Sequence, residues 1–208
     1  MKNIRITPAF VLLAAALICC ENGGLIGALC AAVAAHEGGH LLLIRLWGGR
    51  VEQLTLGLGG MDIRYTCPRA SYPKDAWIAL AGPGANLLCC LLCAAPAQRL
   101  ESEGLYLFLG CSGLLCLFNL LPALPLDGGV CLRALLLCRW EMERCDRALA
   151  VCGWCVGMAL LAAGVLLCVL SRGNVTLLVC ALFVLSRAGR QGRQRRKTPL
   201  RLGLKERA

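Results

Sequence analysis

Charge is scarce in this chain, with only 16% of its 208 residues Asp, Glu, Lys or Arg, and aromatics are scarcer still at 5%. A water-soluble domain of this size needs more charge than that to cover its surface. Histidine is nearly absent, at two residues, and acidic residues number 12. Any chemistry needing imidazole or carboxylate therefore has few addresses. What fills the chain is apolar, at 58% of residues and a mean hydropathy of +0.68. The length allows one domain, and the composition reads as a polytopic membrane protein.

A bilayer span needs about 20 apolar residues in a helix. The candidate spans are Ile6–Cys20, Leu25–Trp47, Trp77–Ala97, Leu105–Leu121, Ala148–Leu170 and Val175–Ser186. The first and last are short. The first also has the look of a signal peptide after Lys2 and Arg5, but no small-residue cleavage site follows it, so it is kept as a span. Between the second and third spans, residues 51–65 alternate polar and apolar side chains about a Gly59-Gly60 turn, as a β-hairpin does. The expected fold is an all-α polytopic membrane protein of about six transmembrane helices with that small hairpin.

The cationic excess of +10 is distributed unevenly. With both termini in the cytoplasm, the inner segments hold Lys2, Arg5, Arg50, Arg64, Arg69, Lys74, Arg133, Arg139, Arg144, Arg147 and the basic tail. The outer loops keep Arg99 and Arg172. Orientation by positive charge predicts this asymmetry, and it accounts for the basicity without nucleic acid. The domain division is a membrane-embedded region over 1–188 and a basic, disordered cytoplasmic tail over 189–208, which anionic lipid or water would solvate.

The 16 cysteines lie mostly in apolar runs, where cysteine acts as a small hydrophobe. Cys90 with Cys93 and Cys152 with Cys155 have CxxC spacing, but each lies in a candidate span and lacks a second pair at zinc-ribbon distance.

The chemistry-bearing residues begin with His36-Glu-Gly-Gly-His40 in the second span. One helical turn separates the two imidazoles, so both project from one face and can bind one metal, with Glu37 within reach of a metal-bound water. Ionisable groups in mid-membrane are costly and by default functional; the bland alternative is a histidine pair packed between helices with Glu37 as a hydrogen-bond partner. Gly38 and Gly39 weaken the helix by about 1 kcal/mol each and would let a neighbouring backbone approach. A catalytic zinc takes three protein ligands and keeps a fourth position open. With no third histidine, the third ligand must be a carboxylate or a thiolate. Asp127 is the best placed, after Pro122 and Pro125 and before Gly128-Gly129, where span four cannot stay helical. Broken backbone at membrane depth is tolerated only where it is buried in protein or lines a cavity. The alternative for Asp127 is a helix cap in an interfacial loop.

These two motifs, His36-Glu-Gly-Gly-His40 and Asn119-Leu-Leu-Pro-Ala-Leu-Pro-Leu-Asp-Gly-Gly129, in this order and spacing, resemble the site-2 protease family of intramembrane zinc metalloproteases. The resemblance covers roughly residues 1 to 188 and is nearest to the family's bacterial sporulation branch. It implies one zinc ion held by His36, His40 and Asp127, Glu37 as catalytic acid/base, and Asn119 as an oxyanion or substrate contact. Gly82-Pro83 with Asn86 is similar to a further family signature in the third span. The implied substrate is a membrane-anchored regulator, such as a pro-sigma or anti-sigma factor, in a bacterial cell membrane. Homo-oligomers and regulatory membrane partners stay open. Such proteases often carry a PDZ or a nucleotide-sensing CBS domain. Neither is legible here, so regulation through them is not expected.

Three rival readings remain. A prenyl-protein or quality-control membrane protease would take its third ligand from a later glutamate, but Glu141 and Glu143 sit in a charged loop. A silent adaptor that binds helices without cutting them would not need the full His, Glu, His and Asp set. A transporter would show repeated halves with paired broken helices, and only span four is clearly broken.

Overall fold

The computed structural model describes residues 3–8, 23–57, 60–68, 71–171 and 175–194. Its elements are β1 (Asn3–Ile6), α1 (Gly23–Leu46), β2 (Arg50–Gly57), β3 (Gly60–Thr66), α2 (Tyr72–Leu100), α3 (Glu103–Asn119), α4 (Asp127–Leu137), α5 (Met142–Leu170) and α6 (Thr176–Gln194). Three of them, α1, α2 and α5, are long and apolar enough to cross a membrane, while α3 and residues 176–189 of α6 are shorter apolar helices. The expected first span lies outside the described residues apart from its start, where Ile6 is strand rather than helix. The chain forms two compact units, each described below by itself.

The first unit takes Met1–Ser71 and Trp77–Asn119. In α1 the buried residues are Ala28, Ala32, His36, His40 and Ile44, one every fourth position. α1 also packs against α3, whose buried residues are Ser112 and Cys116. The helix stops where Gly48 adopts φ +71°, a left-handed conformation that costs glycine nothing, and its amide donates to the Arg45 carbonyl at 2.9 Å. Chain reversal there delivers β2.

The sheet is larger than a hairpin, so the all-α expectation needs amending. β2 pairs antiparallel with β3, and β1 adds to the other side of β2 in parallel, in the order β1-β2-β3. Gly57 pairs with Gly60, which puts Gly60 inside a strand, while Gly59, the other residue of the expected turn, lies outside the described residues. A strand of four residues leaves little periodicity to read, and the apolar run after it masks it as the start of a span.

In α2, Pro73 occupies the first turn, where a missing N–H is harmless, and Pro83 and Pro96 lie inside. The helix starts before the expected span and includes Lys74. Leu87, Leu88, Leu91 and Leu92 are all more than half exposed, an apolar face of the kind that lipid covers.

The second unit takes Leu120–Leu202 with the first turn of α2. The polar stretch after Gly129 is helical, as α4 and the start of α5. Arg133 is buried, and its Nε lies 3.4 Å from Asp146 Oδ1, tying α4 to α5. α5 and α6 pack as a hairpin through small residues. A Cβ on Gly153 would stand 3.1 Å from that of Ala188, and one on Gly157 would collide with the Leu185 side chain. α6 continues through Gln194, so residues 189–194 are helical, and 195–208 lie outside the described residues.

Candidate metal centre

His36 and His40 face α2 from the buried stripe of α1, at 5% and 8% exposure. Their rings meet edge to face with Nε2 3.3 Å from Nε2. Each Nδ1 is engaged by α2. His40 Nδ1 lies 2.7 Å from the Ile78 carbonyl oxygen, and His36 Nδ1 lies 3.3 Å from Nδ2 of Asn86. A carbonyl can only accept, so His40 Nδ1 carries a proton and donates it. This is the outer-shell arrangement that orients a metal-binding imidazole.

The close approach of α1 and α2 depends on two glycines. A Cβ on Gly39 would stand 2.8 Å from Ala85 Cβ, and one on Gly82 would overlap the His40 ring and stand 2.8 Å from His36 Nε2. Gly38, expected to share this role, has open space around the Cβ position. Glu37, next to His36 on α1, is half-buried.

The spacing tests whether the pair suits a zinc ion. Two nitrogens each about 2.0–2.1 Å from a tetrahedral ion stand about 3.3–3.4 Å apart. The observed 3.3 Å between Nε2 atoms fits one ion, and both lone pairs can converge on it.

Asp127, in the second unit, opens α4 as its first helical residue, half-buried, after an extended Leu126. Residues 120–126 turn back over this helix start, with the Leu126 amide donating to the Ala123 carbonyl at 2.9 Å. The glycines after Asp127 make that possible. A Cβ on Gly128 would strike the Leu120 carbonyl, and one on Gly129 would stand 2.6 Å from the Ala123 oxygen. A carboxylate at a helix N-terminus also sits favourably in the helix dipole. Asn119 is the last residue of α3, and its Nδ2 donates to the Leu115 carbonyl at 3.1 Å, which leaves one amide hydrogen and Oδ1 for other partners. The CxxC cysteines are all free thiols. The sequence marks Asn86 only as part of a further family signature with Gly82-Pro83; its contact with His36 depends on how α1 and α2 pack, which spacing along one chain does not reveal.

No family model matches the chain. A site-2 protease from Methanocaldococcus jannaschii superposes with a TM-score of 0.68 at 24% identity, covering 92% of this chain and 91% of that one. That likeness shows the fold. In sequence, a Mycobacterium tuberculosis protein named for a zinc metalloprotease, Rip3, is 34% identical over 146 residues, or 65% of this chain and 37% of the relative. The zinc metalloprotease MJ0392 of Methanocaldococcus jannaschii is 28% identical over 167 residues, or 77% of this chain and 47% of the relative. The chain has the fold of a site-2 protease and is similar in sequence to proteins named zinc metalloproteases. It spans less than half the length of these curated relatives.

Proposed function

We propose that this chain is an intramembrane zinc endopeptidase that cuts membrane-anchored regulatory proteins in or near their transmembrane segments, with His36, His40 and Asp127 holding one ion. The observation that carries the reading is the buried histidine pair, whose Nδ1 atoms are both engaged by α2 while the Nε2 atoms stand 3.3 Å apart.

When bound, the zinc supplies Lewis acidity, polarising a peptide carbonyl and lowering the pKa of water toward about 7. The chain's own residues do the rest. Glu37 accepts the proton of the attacking water and returns it to the leaving amine. Asn119 offers its second amide hydrogen to the oxygen on which negative charge develops. A helical substrate buries its scissile amides, so it must unwind before it is cut. β3 forms one edge of the sheet, and an extended substrate strand can pair there by β-augmentation. The substrate class, pro-sigma or anti-sigma regulators of the sporulation branch, and a cell-membrane location with both termini cytoplasmic complete the proposal.

The test is purified Glu37→Gln protein against a membrane-tethered reporter. It should bind zinc as the parent does and lose cleavage. Cleavage at the parent rate would exclude Glu37 as the proton carrier, and a parent chain that neither binds zinc nor cuts would exclude the peptidase reading.

A further inference from the structure

The second unit carries its own membrane landmark. From Ala148 to Leu170, α5 holds no charged residue, and its exposed side chains include Val151, Met158, Leu166 and Val169. At the helical rise that run is about 34 Å long, against about 30 Å of bilayer hydrocarbon. Arg147 therefore stands at one edge of the membrane, and the turn that joins α4 to α5 lies in the headgroup layer. α6 turns from apolar to basic near the same edge. Its exposed Arg187 adjoins Ala188, which packs on Gly153 of α5.

The α4–α5 turn presents two side chains in that layer. The Leu136 carbonyl accepts from the amides of Arg139 and Trp140, at 3.0 and 2.8 Å, which winds the chain tightly off the end of α4. Arg139 and Trp140 are left exposed, and with Leu135, Leu136 and Cys138 they line a groove of about 410 Å³, within the range of small-molecule sites, about 300–1,000 Å³. Arg144 and Arg147 are exposed on the first turns of α5. Arg147 Nε donates to the Glu143 carbonyl at 3.4 Å, so its side chain runs back toward the turn and away from the apolar run. The carboxylates nearby have other uses. Glu141 and Glu143 stand at the N-terminus of α5, where negative charge suits the helix dipole, and Asp146 pairs with the buried Arg133. We propose that this turn binds the headgroup of an anionic phospholipid. Arg139 pairs with the phosphate, and Trp140 lies at the glycerol level, as interfacial indoles do. Leu135 and Leu136 meet the start of an acyl chain, while Arg144 and Arg147 favour a headgroup of net negative charge. An acidic peptide would match the arginines but not the apolar wall of the groove.

The experiment uses the full chain in a neutral detergent, titrated with phosphatidylglycerol or phosphatidylcholine, with retained lipid counted by native mass spectrometry. The parent should retain phosphatidylglycerol at least about tenfold more tightly than phosphatidylcholine. Arg139→Gln should weaken phosphatidylglycerol binding about fivefold, the share of one arginine at a charged surface, and leave phosphatidylcholine unchanged. Arg99→Gln, which removes an exposed arginine of the first unit, should retain both lipids as the parent does. Trp140 supplies a readout of place, because bromine on a lipid quenches an indole that it touches. The fluorescence that Trp140→Phe removes from the parent should be quenched at least about twofold more by brominated phosphatidylglycerol than by brominated phosphatidylcholine. Equal retention of the two lipids by the parent, equal losses in Arg139→Gln and Arg99→Gln, or equal quenching of Trp140 by both lipids would overturn the proposal. Tighter binding of a soluble polyglutamate peptide than of phosphatidylglycerol would assign the arginines to a protein partner and overturn it as well.

Discussion

The Nε2 atoms of His36 and His40 stand 3.3 Å apart within the packed face between α1 and α2. At that distance two bare lone pairs repel, so either a proton or a cation must lie between them. The same separation serves both states. Zinc could therefore enter with little movement of either ring. Preorganisation of this kind reduces the cost of ordering ligands on binding.

Gly82 is the position where that arrangement is most easily destroyed. Alanine there gains about 1 kcal/mol in helix propensity, but its methyl would overlap the His40 ring and crowd His36 Nε2 at 2.8 Å. Overpacking of a well-fitted site costs about 1–3 kcal/mol, so the net change in stability should be small or unfavourable. Zinc affinity should fall at least about tenfold, as when a ligand's support is disturbed. Gly84→Ala, two residues on, has open space for its methyl and should bind zinc as the parent does. Chelator competition on both proteins decides the matter, and equal affinity in both would mean that the rings are free to move aside.

Replacing Asp127 by alanine removes a proposed ligand rather than a support. Outer-shell changes already cost about 10–100-fold in affinity, so the loss here should be on the order of 100-fold or more. Metal content after dialysis against a weak chelator reads it directly. Retention of a full zinc equivalent would assign the third ligand elsewhere.

The parts of the site legible in the sequence are those set by local rules. The 3.6-residue period puts His36 and His40 on one face, and proline followed by Gly-Gly marks the broken turn that carries Asp127. β1 was not legible, because a four-residue strand beside a long apolar run carries no period of its own. Gly60, expected in the turn, pairs with Gly57 as part of β3, since glycine reads as punctuation whether or not a strand partner is present. The roles of Gly82 and Asn86 depend on which turn of α2 meets which turn of α1. Only packing decides that, and the divergence of Gly38 from Gly39 has the same origin.

Buried and exposed thiols around α4 should differ in chemistry. Burial pushes the Cys131 thiol up from its ordinary value, whereas Cys138, just past the helix, is exposed. Only the thiolate reacts with alkylating agents, so raising the pKa and closing access act in the same direction. In the folded protein near pH 8, iodoacetamide should modify Cys138 at least about tenfold faster than Cys131. Peptide mass spectrometry follows both sites, and the difference should vanish in denaturant. Similar rates in the folded protein would mean that α4 opens readily.

The Arg133–Asp146 pair should hold α4 to α5 through a charge that neither residue can surrender alone. Arg133 is 7% exposed, and its guanidinium reaches Asp146 Oδ1 from Nε at 3.4 Å and from a terminal nitrogen at 3.5 Å. Asp146→Ala would strand a buried cation, a change worth about 3–5 kcal/mol in a fully buried setting. The Asp146 side chain is 25% exposed, so water can solvate part of the orphaned charge and about 2 kcal/mol is the better expectation. The double variant Arg133→Met with Asp146→Ala removes both charges and keeps most of the apolar volume. It should recover much of that loss, because replacing a buried ion pair with packed hydrophobic side chains is often neutral. Thermal unfolding of the three proteins in one detergent supplies the comparison. A single variant as stable as the parent would show that the pair contributes nothing to joining the two helices.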